Sequence, residues 1–175
     1  YVAWEKHAIA KNNARNALIL RLIATTPAPR IVFVRTHEHQ AILMKQLGNT
    51  AVHVNDKVPM NDANRAVRQL VNGTVGTLIS TPIFRQGVDI PEIATVIQAS
   101  GGKAVVDIIQ KVGRGSRRHM KDGTTKDNFY VFDILDRGCG CRGSQQHKGC
   151  QWLEKHSQER KNAYERFGYV VKTER

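Results

Sequence analysis

The sequence predicts an α/β domain built around a mainly parallel sheet, with helices covering both faces. Three observations carry this. Short apolar runs at Ile31–Val34, Val75–Ser80 and Thr95–Ala99 read as buried strands, and they alternate with longer stretches of helical period. Strand–helix alternation is the pattern of parallel strands joined by crossovers. Polar turns follow the strands, on the edge where sheets of this kind bind ligands.

The elements follow in order. Ala3 to Thr25 has helical composition, with Ala10, Ala14, Ala17, Leu18 and Ile23 at roughly helical spacing. Pro27 and Pro29 end that helix and introduce the strand Ile31–Val34. A helix at Glu38–Leu47 is closed by Gly48, and Ala51–Val54 is a short strand. Asn61 or Asp62 is placed to cap a helix with Ala66, Val67, Leu70 and Val71 on its apolar face and Gly73 at its end. Strands at Val75–Ser80 and Thr95–Ala99 precede a helix at Ala104–Val112. A last strand, Phe129–Ile134, precedes a final amphipathic helix, Gln151–Phe167. Four regions result: an N-terminal helix and linker (1–28), the main domain (29–136), a basic Gly/Cys-rich loop (137–150) and the helical tail (151–175).

A chain of 175 residues fits one such domain and can bury a real core. No apolar run is long enough to span a bilayer and no signal-peptide pattern opens the chain, so an intracellular setting without a membrane partner is expected, in cytoplasm or nucleoid. The odd count of three cysteines agrees with a reducing compartment. The first residue is Tyr1, which suggests a fragment or a processed product. A formal charge of +12 points to a polyanion, and nucleic acid is the natural one.

The chemistry concentrates in three segments. Gln110-Lys111-Val112-Gly113-Arg114-Gly115-Ser116-Arg117 places two arginines three residues apart at a helix end, where both can reach one phosphate chain. Upstream stand Ser80-Thr81-Pro82 with Gln86-Gly87-Val88-Asp89-Ile90, and before them Ile31-Val32-Phe33-Val34-Arg35-Thr36. Their order and distances resemble motifs VI, V and IV of the second RecA-like domain of superfamily 2 helicases, from about Pro29 to Asp133. The resemblance implies a RecA-like three-layer α/β/α domain with a mainly parallel sheet.

It also implies roles. Arg114 and Arg117 would be the arginine fingers that meet the γ-phosphate of ATP across a cleft with a first RecA-like domain. Gly87, Asp89, Gln110 and Gly113 would serve the nucleotide, Asp89 through a ribose hydroxyl and Gln110 by coupling nucleotide to nucleic acid. Thr81, Thr36 and Arg65 would touch the nucleic-acid backbone, with DNA favoured over RNA. Competing readings stay open: a helix-dipole role for the arginines, a plain turn role for Asp89, a surface salt bridge for Arg65.

No G-x-x-x-x-G-K-[ST] stretch and no D-E-x-[DH] box occurs in the sequence. In the family these hold ATP and Mg²⁺ on the first domain, so this chain alone is expected to hydrolyse ATP negligibly. Cys139, Cys141, His147 and Cys150 form a C-x-C-x₅-H-x₂-C arrangement able to hold Zn²⁺, or else a loop of free thiols. The aromatic residues of the tail, Trp152, Tyr164 and Phe167, are expected to pack on the sheet. That ending, with Ser100-Gly101-Gly102-Lys103, resembles bacteriophage and repair-type helicases that remodel branched DNA. The alternatives are an ATP-independent nucleic-acid-binding module on the same scaffold, or the translocase part of a restriction or remodelling enzyme.

Overall fold

The computed structural model describes residues 6–81, 90–101, 128–137 and 145–173, with only the backbone for Lys6 and for 145–150. A five-residue π turn, Lys6–Ala10, precedes helix α1, Asn13–Thr25. Strand β1 (Arg30–Phe33), helix α2 (His37–Leu47), β2 (Ala51–Val54), helix α3 (Met60–Val71) and β3 (Thr77–Ser80) follow. Then come β4 (Thr95–Gln98), β5 (Tyr130–Asp133) and helix α4, Gln145–Arg166.

All strand pairs are parallel, in the order β2-β3-β1-β4-β5. Strands β3 and β4 are buried along their whole length, which is why neither shows a period-two alternation. One core joins α3 to the sheet through Ala63, Ala66, Leu70, Leu78 and Val96, and it takes in Ile90 and Ile93. A second, on the opposite face, joins α1 and α2 through Ile19, Ile23, Leu43, Val32, Ile79 and Ile97. The three-layer architecture is therefore the expected one.

Several boundaries differ from the sequence reading, each for a local reason. The long N-terminal helix is broken: Asn12 has extended backbone, and its side chain accepts from Arg15 N at 3.0 Å, restarting the helix at Asn13. Helix α3 begins at Met60 behind Pro59, and no side chain caps it, so neither Asn61 nor Asp62 has the capping role. Helix α4 starts at Gln145, inside the segment read as a loop and across the boundary drawn at 150. Gly101 turns the chain after β4 with φ of +68°, and a Cβ there would run into the Ile9 side chain. The predicted helix at 104–112 lies outside the described residues. Among the described residues no helix is long and apolar enough to cross a membrane.

Candidate nucleic-acid interface

The strand register brings the sheet to a common edge. Val54 pairs with Ser80, Ser80 with Phe33, Phe33 with Gln98, and Gln98 with Asp133, so the carboxyl ends form one row. Ligands of open parallel sheets bind beyond such a row.

Thr36 sits in the loop after β1 and caps α2, its hydroxyl accepting from His39 N at 3.2 Å. That hydroxyl keeps its own proton to donate. Thr81 follows β3 and its N–H donates to Val54 O at 3.2 Å, extending the β2–β3 ladder by one rung. Its side chain is buried, and Oγ1 has no hydrogen-bond partner among the described residues. Arg65 stands on exposed α3, 3.4 Å from Asp62 one turn earlier. Such a surface pair contributes at most about 1 kcal/mol and leaves the guanidinium available. The structure thus brings the Thr36 and Thr81 loops to one edge, with the N-terminus of α3 beginning on the same side after β2.

Two polar networks at this edge have no counterpart in the sequence motifs. In the first, Gln40 of α2 is buried and its amide nitrogen donates to Val54 O at 3.0 Å and Ile79 O at 2.9 Å. Its oxygen accepts from Asn55 Nδ2 at 2.6 Å. The only signal in the sequence was a polar residue on a helix face otherwise marked by Leu43 and Leu47.

The second network fastens both terminal helices to the sheet. Arg15 of α1 pairs with Asp136 and donates to Ala99 O at 3.3 Å. Asp136 N donates to Ser157 Oγ at 2.8 Å. Arg160 of α4 donates to both oxygens of Asp133, at 2.8 and 3.0 Å, and to Ile134 O at 3.1 Å. Burial pushes the Asp136 carboxyl up, while the neighbouring Arg15 guanidinium draws it back down. Burial also raises the Tyr164 phenol, whose hydroxyl donates to Asp133 at 2.9 Å. Tyr164 packs against Val131, as expected for the tail, whereas Phe167 is exposed.

His39 links α2 to α1. Its Nε2 meets Asn16 Oδ1 at 2.9 Å, so Nε2 carries the proton and Nδ1 has no partner among the described residues. Burial, helped by the Arg15 charge, lowers its pKa to about 4.

Gly87, Asp89, Gln110, Gly113, Arg114 and Arg117 lie outside the described residues. So do Cys139 and Cys141, while for His147 and Cys150 only the helical backbone is described. Among the described residues no group of three His, Cys, Asp or Glu is placed to hold a metal ion.

A five-stranded, all-parallel sheet with helices packed on both faces defines a RecA-like α/β domain as its class. The chain belongs to the family of the helicase conserved C-terminal domain, which matches residues 14–119, and it is a C-terminal RecA-like domain of the superfamily 2 type. Among curated relatives, it is 26% identical over 126 residues to putative helicase 22 of Sulfolobus islandicus filamentous virus, covering 70% of this chain and 22% of that protein. It is 32% identical over 99 residues to the pre-mRNA-splicing ATP-dependent RNA helicase prp28 of Schizosaccharomyces pombe, covering 55% and 15%. It is 27% identical over 125 residues to the ATP-dependent RNA helicase SrmB of Escherichia coli, covering 69% and 28%.

The chain therefore spans less than a third of each of these relatives. Of solved structures, T4 UvsW superposes with a TM-score of 0.64 at 19% identity, covering 95% of this chain and 35% of that one. Mss116p DEAD-box helicase domain 2 bound to an RNA duplex gives 0.51 at 20% identity, covering 69% and 48%. The preference for DNA over RNA finds no support here, since both named cellular relatives are RNA helicases.

Proposed function

We propose that this chain is the second motor domain of an ATP-dependent helicase and that it grips one nucleic-acid strand at the carboxyl edge of its sheet. The observation that carries the reading is the juxtaposition of the Thr36 loop, the start of α3 and Thr81 on that edge. An uncapped helix start offers free N–H groups to a phosphate, and Thr36 keeps a donor proton. Thr81 Oγ1 is buried, so it acts by shaping the loop or by turning outward when a strand binds. Arg65 adds charge from α3. RNA is the first substrate to try, given the relatives' names.

The remaining roles follow the family. Arg114 and Arg117 would stabilise negative charge developing on the γ-phosphoryl group, and Asp89 and Gln110 would orient nucleotide and couple it to the strand. Gly87 and Gly113 would allow the close backbone approach. ATP and Mg²⁺ would be held chiefly by a first RecA-like domain, where ATP would supply the hydrolysable phosphate and Mg²⁺ would neutralise its charge. The test is RNA- and DNA-stimulated ATP hydrolysis by a protein in which such a domain precedes this chain. Stimulated turnover that collapses in Arg114→Ala and Arg117→Ala supports the reading. Turnover indifferent to both substitutions refutes it.

A further inference from the structure

Gln40 is an anomaly of composition that the motifs do not explain. It is 2% exposed on the face of α2 that carries Leu43 into the core. Burying a primary amide costs several kcal/mol unless its donors and acceptor are used. Here all are used, and the partners are not arbitrary. Val54 O is the last carbonyl of edge strand β2, and it also accepts from Thr81 N. Ile79 O belongs to β3, two residues before Thr81. Asn55, the third partner, begins the loop to α3, and its own Oδ1 accepts from Lys57 N at 2.9 Å to form a tight turn. Gln40 itself lies one helical turn after Thr36 and donates its backbone N–H to Thr36 O at 3.1 Å.

Gln40 therefore joins all three segments of the candidate interface: its backbone N–H binds the cap of α2, and its side chain binds the turn that leads to the start of α3 and the β2–β3 rung that fixes Thr81. A Leu or Val would fill the same space and satisfy the core equally well. The amide adds a fixed spacing between the three loops. Backbone phosphates repeat at a fixed spacing too, so an interface built from separate loops grips a strand only while that spacing is held.

We infer that Gln40 is a positioning residue that holds the Thr36, Asn55–Pro59 and Thr81 loops in register for the nucleic-acid backbone, with Asn55 as its link to the α3 loop. This rests on the functional reading above and deepens it. Gln40 is buried and does not itself meet the strand.

The test measures binding of a fluorescein-labelled single-stranded oligouridylate, and of the matching deoxy strand, to the 175-residue chain by anisotropy. Gln40→Leu keeps size and removes every side-chain hydrogen bond; Asn55→Ala removes the link to the α3 loop together with the Asn55–Lys57 turn bond. Val131→Ala, on strand β5 at the far side of the sheet, serves as a control for loss of stability. The expected result is at least fivefold weaker binding for Gln40→Leu, a smaller loss for Asn55→Ala, and parental affinity for Val131→Ala. The double variant should bind no worse than Gln40→Leu alone, because the Asn55 link acts through Gln40.

Parental affinity in Gln40→Leu overturns the inference, as does an equal loss in Val131→Ala. Should Gln40→Leu fail to fold, parental affinity in Asn55→Ala overturns it. A parent chain that binds neither strand overturns the functional reading and this inference together, an outcome distinct from a binding parent with unaffected variants.

Discussion

Replacing Arg160 by Met should destabilise the domain by about 4 kcal/mol, through the charge it leaves behind rather than the contacts it removes. Arg160 is 1% exposed and the Asp133 side chain 8%. The guanidinium supplies three charged hydrogen bonds to that carboxylate and one each to Ile134 O and Ser157 Oγ, at 3.1 and 3.3 Å. Met fills most of the volume, so a packing defect contributes little. What remains is a buried carboxylate with the Tyr164 hydroxyl as its other hydrogen-bond donor among the described residues. Orphaning one member of a buried pair costs about 3–5 kcal/mol. With a urea slope of about 2 kcal/mol/M, the unfolding midpoint should fall by roughly 2 M.

Asp133→Leu alone should cost a similar amount, because it removes the carboxylate that balances the buried Arg160 charge and accepts from the Tyr164 hydroxyl. The Arg160→Met/Asp133→Leu double variant should recover at least half of the summed loss, since neither charge remains to be solvated. Urea denaturation followed by far-UV circular dichroism measures all three. A loss below about 1 kcal/mol in either single variant, or full additivity in the double, would refute the account of a desolvated pair.

Three further outcomes follow from the same structure. His39 is held neutral at a pKa of about 4 against an ordinary 6.5, so the unfolded chain takes up a proton first as pH falls. Its contribution is therefore complete above pH 6.5 and fades between 6.5 and about 4, by roughly 3 kcal/mol in all; His39→Gln should flatten that part of the stability–pH curve, and an unchanged slope would contradict the assignment. Thr81→Val replaces a buried hydroxyl with no partner among the described residues by a methyl group and should leave stability equal or raise it by about 1 kcal/mol, read from thermal unfolding. In the protein joined to a first motor domain, Arg114→Ala and Arg117→Ala should each lower stimulated ATP turnover by about 10³-fold or more while RNA affinity without nucleotide stays within twofold of the parent.

The architecture was legible in the sequence because it depends on where apolar residues recur. Buried strands and helical crossovers write themselves into composition, so β1 to β5 and α2 to α4 lie close to where the pattern put them. The placement of the Thr36 and Thr81 loops was legible for a related reason: short, contiguous segments leave one sheet edge, and chain order fixes their neighbours. Boundaries were harder, since a cap such as Asn12 or a helix start such as Pro59 turns on one residue's backbone angles.

What only the tertiary structure decided is the pairing of distant polar groups. Arg160 and Asp133 are far apart in sequence, and so are Arg15 and Asp136; nothing local marks them as partners. Gln40 looks like a solvated helix residue until the sheet brings Val54 O and Ile79 O within 3.0 Å of its amide. The physical reason is that hydrophobic burial is summed over many interchangeable residues, whereas a buried hydrogen bond depends on two particular atoms meeting at one distance and angle. The sequence by itself therefore determined the family, the sheet and the edge from which the Thr36 and Thr81 loops leave. The folded chain decided which side chains hold that edge in shape.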